Sequence, residues 1–247
     1  MSIISIYNIK GGVGKTATAV NISYLASLES QPVVICDMDP QASASFYFRI
    51  KPKKKFNSKR LIAAGKDIFD YVRGTDFEYL DLLPADFSYR KLDIKLNEEK
   101  KSDKKLRDIL KPLTKEYKYI FLDAPPNITL FSENIFNASD YILVPLIPTT
   151  LSIRTFEQLM DFFKKKNYPK EKIIPFFSMV DRRKNMHKEF IENAKKQKAK
   201  FLNTYIPFSS SVEKMGITRE PSVHTEPNSA ISKEYKVMWQ EIKELIN

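Results

Sequence analysis

Between Asn8 and Thr18 the chain reads NIKGGVGKTAT, with three glycines and two lysines between Lys10 and Thr16. Gly11, Gly12 and Gly14 lack the Cβ that would keep successive backbone N–H groups from converging on one anion. Lys15 adds a point charge that can reach terminal phosphates, and the Thr16 hydroxyl can meet a divalent cation. A simple turn needs one glycine with positive φ and has no use for Gly-Lys-Thr at the start of a helix. The chemistry that suits all of these residues is phosphate binding. Set against the pattern of a Gly, four residues and Gly-Lys-Ser/Thr, the stretch has Ile9 in place of the first glycine. Lys10 follows it and needs an account of its own.

Acidic residues close two apolar runs. Asp37 and Asp39 follow VVIC, and Asp123 follows YIFL. A carboxylate at the end of a buried strand is costly unless a cation or hydrogen-bond donors meet it. Isolated aspartates at such positions are more often N-caps or turn residues. Three of them, on two strands that can flank the glycine loop, favour a site. Thr16 and Asp123 are the candidate ligands of Mg²⁺, and Asp37 and Asp39 are left for orienting an attacking water and bracing the site.

These side chains need strands that end together and a helix that starts at the loop. The order is strand (Ser2 to Tyr7), loop, then a helix through TATAVNISYLASLES with Val20, Leu25 and Leu28 about one face apart. Further strands are expected at PVVICDMD, YLDLLPA, YIFLDAPP, YILVPLIP and KIIPFFSMV. Helices are expected at KSDKKLRDILKPLTKEY, TLFSENIFNAS, SIRTFEQLMDFFKKK, KNMHKEFIENAKKQ and SAISKEYKVMWQEIKELI. The alternation predicts an α/β fold: a mostly parallel twisted sheet with helices on both faces, its ligands at the carboxyl ends of the strands. Nothing marks a domain boundary, so residues 1–247 are expected to form a single domain.

With 41 Lys and Arg against 30 Asp and Glu, the net charge is +11, an excess that favours polyanions through counterion release. Much of it is lysine and could be compositional. The basic stretch Arg49 to Arg60 and the mixed run NEEKKSDKK read as solvated surface. The lone Cys36 excludes an internal disulfide and fits a reducing compartment. The start lacks the features of a signal peptide, and no apolar run approaches the roughly 18 residues of a membrane helix, so a cytoplasmic protein is expected.

KGGVGKT, VVICDMDPQAS and YKYIFLDAPPN together resemble the deviant Walker A, Walker A′ and Walker B motifs of the ParA/MinD family of P-loop ATPases. The likeness runs on through LDLLPA, ENIFNAS, VPLIPTTLSIRTFEQL and IPFSSSVEKMGITREPSVHTEPNSAISKEYKVMWQEI, so it covers essentially the whole chain. It implies a single-domain P-loop NTPase that binds ATP and Mg²⁺ and forms a face-to-face homodimer. Lys10 would then be the signature lysine that crosses to the partner subunit's phosphates. Lys15 and Thr16 carry over as phosphate and Mg²⁺ ligands, Asp39 as the residue positioning water, Asp123 as the Walker B acid and Asp37 as a member of the magnesium second shell. Ala17 replaces the usual second threonine, and its backbone N–H, with that of Val13, completes the implied phosphate cradle. Pro207 and Phe208 are implied to lie near the adenine, with Asp181 and Arg182 as further candidates and ordinary packing as the alternative for Phe208.

ParA-type members bind DNA non-specifically as ATP dimers, whereas MinD-type members hold membranes through a helix beyond the domain. Here YKVMWQEIKELIN coincides with the domain's last helix, and DPQ after Asp39 favours the ParA side, so no membrane partner is expected. The resemblance implies slow hydrolysis stimulated by a ParB-like activator and association with the nucleoid. DNA-binding relatives carry arginines in the stretch aligned with IPFSSSVEKMG, where this chain has Phe208, Ser209 and Ser211. DNA contacts would then fall to Arg182, Arg183, Lys184, Lys214 and Arg219. The other reading is a nucleotide-switched protein-binding regulator or scaffold that needs no DNA.

Overall fold

The strands are short apolar runs, and their neighbours follow from which residues can be buried on both faces. In the computed structural model, which describes residues 1–99, 102–195 and 201–246, β1 (Ser2–Ile6) leads through the glycine loop into α1 (Lys15–Ser27) and then β2 (Val33–Asp37). Two short helices follow, α2 (Ser43–Tyr47) and α3 (Ser58–Ala63), and then the hairpin-like pair β3 (Arg73–Gly74) and β4 (Leu80–Leu83). Next come α4 (Leu92–Asn97), α5 (Lys105–Leu110), β5 (Tyr119–Asp123), α6 (Leu130–Ala138) and β6 (Tyr141–Leu146). The remainder is α7 (Thr150–Lys165), β7 (Ile173–Phe177), α8 (Asn185–Lys195), α9 (Ser210–Thr218), α10 (Ser222–Thr225) and α11 (Ala230–Ile246).

All the strands lie in one sheet of order β3-β4-β2-β5-β1-β6-β7, parallel except for the β3–β4 pair. The expected mostly parallel sheet is thus present, with β3 as an added antiparallel edge. Strand β5 shows why helices cover both faces. Ile120 and Leu122 point into one core with α3 to α7, and Tyr119 and Phe121 point into the other with α1 and α11. Every residue of β1, β2, β5 and β7 is buried.

Three expectations change. Helix α1 has no apolar stripe: from Thr18 to Ser27 it is buried on every side, and Leu28 lies past its end and is exposed. The helix expected through KSDKKLRDILKPLTKEY is broken. Pro112 follows α5, and the chain continues as a single 3-10 turn over Leu113–Lys115, because proline cannot donate into the preceding helical turn. The end of the basic stretch is helical, since α3 begins at Ser58 with the Asn57 side chain accepting from Lys59 N and Arg60 N. Lys100 and Lys101 of the mixed charge run, and Lys196 and Gln197 of the helix expected after Lys184, lie outside the described residues.

Aromatic packing backs the loop-bearing strand. The Tyr7 ring meets Phe136 edge-on with centroids 4.7 Å apart, and Phe136 in turn packs 5.0 Å from Phe163. The Tyr7 hydroxyl donates to the carbonyl oxygen of Asn127 at 2.8 Å. Phe136→Ala is expected to cost roughly 3–5 kcal/mol of unfolding free energy in a denaturant titration. A loss below about 1 kcal/mol would mean that this side relaxes to fill the space.

Candidate functional site

The carboxyl ends of β1, β2 and β5 form one edge because their registers coincide. Ile6 pairs with Asp123, and Asp123 with Asp37. The glycine loop leaves β1 at this edge. Gly12 and Gly14 have φ of +69° and +89°, and Gly14 is the residue before α1, with no side chain capping the helix. A Cβ at Gly14 would come within 2.9 Å of Ser178 Oγ, so close approach to the end of β7 also requires glycine there. The positive end of α1 and its uncapped N–H groups therefore open onto the loop.

Asn8, not singled out in the sequence, braces the base of this loop. It is 3% exposed; its Nδ2 donates to the carbonyl oxygen of Pro145 at 2.7 Å, and its Oδ1 accepts from Lys10 N at 2.8 Å. Pro145 lies past Leu143, where β6 ceases to pair with β1, and its carbonyl is free to take this bond. Lys15 is 7% exposed, with its ammonium donating to the carbonyl oxygen of Lys10 at 3.2 Å. Burial lowers its pKa, while Asp123 and Asp39 pull in the opposite direction.

The carboxylates differ in their surroundings. Asp37 is fully buried, and its Oδ2 accepts from Ser45 N at 2.8 Å and Ser45 Oγ at 2.7 Å. Ser45 Oγ also accepts from Ala85 N at 3.0 Å, which fixes the hydroxyl. Burial pushes Asp37 up to about 6 despite these donors. Asp39 does not end the strand in the same way. It lies beyond β2, is half-buried, and accepts from Gln41 N at 2.9 Å. Asp123 is fully buried and neither of its oxygens has a hydrogen-bond partner among the described residues. Burial and the adjacent Asp37 push its pKa well up, and the nearby Thr16 hydroxyl and Lys15 oppose them.

That orphaned carboxylate is the test of fit for a divalent cation. Mg²⁺ takes one or two protein oxygens and completes its shell from phosphates and water, and Thr16 and Asp123 supply such oxygens beside a phosphate loop. Open space of at least 4 Å in the Cβ direction at Gly11 and Gly12 leaves the outer face of the loop free to receive phosphates.

A cleft of about 400 Å³ runs from the loop towards α9. Gly11, Gly12, Gly14, Lys15, Thr16 and Ala17 line one end, with Asp39 beside them, and Pro207 and Phe208 line the other. The structure therefore brings these expected residues together. Phe208 is 54% exposed, so packing in the core is not its role. Ser178, Met179, Val212 and Tyr47 also line the cleft and were missed, because they come from the ends of β7, α9 and α2 and carry no motif. Two of the expected nucleotide-binding residues stand apart: the Val13 side chain is fully buried, leaving only its backbone to meet a ligand, and Lys10 is exposed and does not line the cleft. Asp37 and Asp123, both fully buried, do not line it either. Asp181 and Arg182 line a neighbouring hollow that shares Pro207 and Phe208 with the main cleft.

The cations nominated for DNA are mostly engaged within the chain. Arg182 pairs with Glu234 and lies over the Tyr205 ring, Arg183 pairs with Asp181 at 2.9 Å, and Lys214 approaches Glu226 at 3.5 Å. Arg219 Nε donates to the carbonyl oxygen of Phe46 at 3.0 Å. Lys184 is exposed. Ser209, which also lines the cleft, caps α9 by accepting from Ser211 N, and Ser211 Oγ donates to Glu226 at 2.6 Å, tying α9 to the end of α10.

A parallel sheet with a glycine loop feeding a helix, and two aspartates on adjacent strand ends beside it, defines a P-loop ATPase fold. A family profile described as an AAA domain matches residues 1–174. A ParA family protein of Mycoplasma pneumoniae is 30% identical over 265 aligned positions, covering 99% of this chain and 97% of the relative. The chromosome partitioning protein ParA of Myxococcus xanthus is 32% identical, covering 78% and 70%. A putative plasmid partition protein from Borrelia burgdorferi, solved bound to AMPPNP, superposes with a TM-score of 0.76 at 26% identity, covering 99% and 97%. The chain belongs to the ParA family.

The paired carboxylates give a pH signature in metal-free buffer. Asp37 sits at about 6 in the fold against an ordinary 3.8, and Asp123 shifts the same way. A raised carboxyl pKa favours the neutral form, so its stability is fully present below about pH 4 and is lost as pH rises through about 6. Relative to Asp123→Asn, the wild type is expected to lose melting temperature from pH 5 to pH 7.5 when scanned by differential calorimetry. Identical slopes for the two proteins would show that the pair does not govern stability.

Proposed function

We propose that residues 1–247 act as one ATPase domain that dimerises on binding ATP and Mg²⁺, with partitioning or positioning of DNA-borne cargo as its task. The observation that carries this reading is the separation of the two lysines: Lys15 is buried within its own cleft, whereas Lys10 is exposed at the loop and lines no part of that cleft. An exposed lysine on a loop braced by Asn8 is suited to reach phosphates held by a second subunit.

The roles follow from position. The loop N–H groups from Gly11 to Ala17, with Lys15, would bind the phosphates, and Pro207 and Phe208 would pack on the base. Thr16 and Asp123 would hold Mg²⁺, which supplies charge neutralisation at the phosphates when bound. Ser45 holds the Asp37 carboxylate next to Asp123. Asp39, half-buried at the cleft wall, would orient the attacking water, and Lys10 of the other subunit would stabilise charge on the transferred phosphoryl group, as an arginine finger does.

The partners in this reading are a second copy of the chain, non-specific DNA and a ParB-like activator that speeds a slow basal hydrolysis, with the protein cytoplasmic and associated with the nucleoid. The names of the Myxococcus and Borrelia relatives, which concern partitioning, support the DNA task. Among the described residues no helix is long and apolar enough to cross a membrane. The second reading, a nucleotide-switched regulator or scaffold without DNA, is favoured by one observation: Arg182, Arg183 and Lys214 are each matched by an intramolecular carboxylate.

Lys15→Ala is expected to abolish ATP binding in calorimetry. Lys10→Ala is expected to bind ATP within about threefold of wild type yet stay monomeric with ATP in light scattering and lose stimulated hydrolysis. Normal ATP-dependent dimerisation of Lys10→Ala would sink the cross-subunit role. ATP-dependent retention on non-specific DNA, steeply weakened by salt and absent with ADP, is expected for the first reading. No retention with ATP at low salt would leave the second.

A further inference from the structure

The chain's net charge of +11 is concentrated in one place. No Asp or Glu occurs between Asp39 and Asp67, and that interval carries eight lysines and arginines, a local excess of +8. One of them, Arg49, is tied to Asp76 at 2.6 Å and to Glu220 at 3.2 Å. The side chains of Lys51, Lys53, Lys54, Lys55, Lys59 and Arg60 are exposed, and none forms an ion pair with a carboxylate among the described residues. The cations at the end of β7 and on α9 differ on this point, since most of them are already paired.

We propose that the stretch from Lys51 to Arg60 is a docking surface for the phosphate backbone of double-stranded DNA; the proposal rests on the DNA-binding reading above. The loop is held in shape at both ends. Arg49 ties its start to Asp76 and Glu220, while Phe56, 2% exposed, stacks on Tyr71 with centroids 4.3 Å apart. Phe56 N donates to the carbonyl oxygen of Lys53 at 2.8 Å, closing the turn that presents Lys53, Lys54 and Lys55. Such a surface loses little loop freedom on binding, which favours affinity.

The chemistry of the surface selects among polyanions. Its largest apolar side chain, Phe56, is buried and Ile50 is half-buried, so the loop offers nothing to insert among lipid chains, unlike a membrane-binding amphipathic segment. Lysine ammonium groups are point charges without the fork of arginine, suited to a uniform line of phosphates rather than to particular carboxylates. The loop continues directly from α2, whose Ser43 and Tyr47 line the nucleotide cleft and whose Ser45 holds Asp37. The docking surface is therefore one short helix away from the nucleotide.

The test is fluorescence anisotropy of a labelled mixed-sequence duplex of about 24 base pairs with the full chain and AMPPNP, titrated at several salt concentrations. For Lys53→Gln/Lys54→Gln/Lys55→Gln, the slope of log K against log salt is expected to fall by about 2 to 3, with binding at least about tenfold weaker at 0.1 M salt. Lys51→Gln/Lys59→Gln is expected to lower the slope by about 1 to 2, reading the same surface from its two ends. Arg182→Gln/Lys214→Gln is expected to bind within about twofold of wild type. Melting temperature and AMPPNP affinity should match wild type in both loop variants, since none of these five lysines lines the main cleft or forms an ion pair among the described residues. If wild type binds and both loop variants keep its slope and affinity, this surface is wrong and the DNA reading stands. If wild type binds no duplex at low salt, the DNA reading falls and this proposal with it. Binding to phosphatidylserine vesicles in place of the duplex, lost in the loop variants, would overturn the assignment in favour of a membrane surface.

Discussion

The site depends on the alignment of three strand ends. Because β5 lies between β1 and β2 with Ile6, Asp123 and Asp37 in one row, the chain leaves the glycine loop, the Walker B-like aspartate and the buried Asp37 at the same depth. A slip of one residue in either register would turn a carboxylate to the opposite face of the sheet. The apolar residues of the two cores prevent such a slip, since each strand is buried on both sides and its alternation matches two different helical layers.

That alignment also creates an electrostatic problem. Two carboxylates side by side in a dry interior repel each other and lose hydration. Asp37 is relieved by three donors, two from Ser45 and one from the backbone of Asp39. Asp123 has no hydrogen-bond partner within the described residues, and only the nearby Thr16 hydroxyl and the Lys15 charge oppose the effect of its burial. The asymmetry suits a division of labour in which one aspartate is a fixed part of the scaffold and the other is kept for a cation.

The cleft is built from both halves of the chain. Its phosphate end belongs to the first strand, loop and helix, while Met179, Pro207, Phe208 and Val212 arrive from the ends of β7 and α9. The family profile ends at residue 174, so the wall opposite the phosphate loop lies in the part of the chain that it does not describe. Loops at strand ends vary more readily than the sheet that carries them, and this wall and the basic surface after α2 are where this chain can differ in what it binds.

Much of this was legible from residue type and spacing. The glycine loop, Lys15, Thr16 and the acidic ends of two apolar strands signal phosphate and cation chemistry by local covalent constraints alone, and the strand and helix alternation signals a parallel sheet. Other features were settled only by long-range packing. Sequence gives no reason to pick Asn8, Ser45 or Met179, whose roles arise from partners such as Pro145, Ala85 and the facing loop. It could not tell that α1 is buried on every side, whereas the break at Pro112 was legible in the proline itself. Nor could it separate cations engaged with Glu234, Asp181 and Glu226 from those left exposed after α2. Residue type determines which interactions a side chain is able to make. Which of them it makes depends on distance between segments far apart in the chain, and that was decided by the tertiary structure.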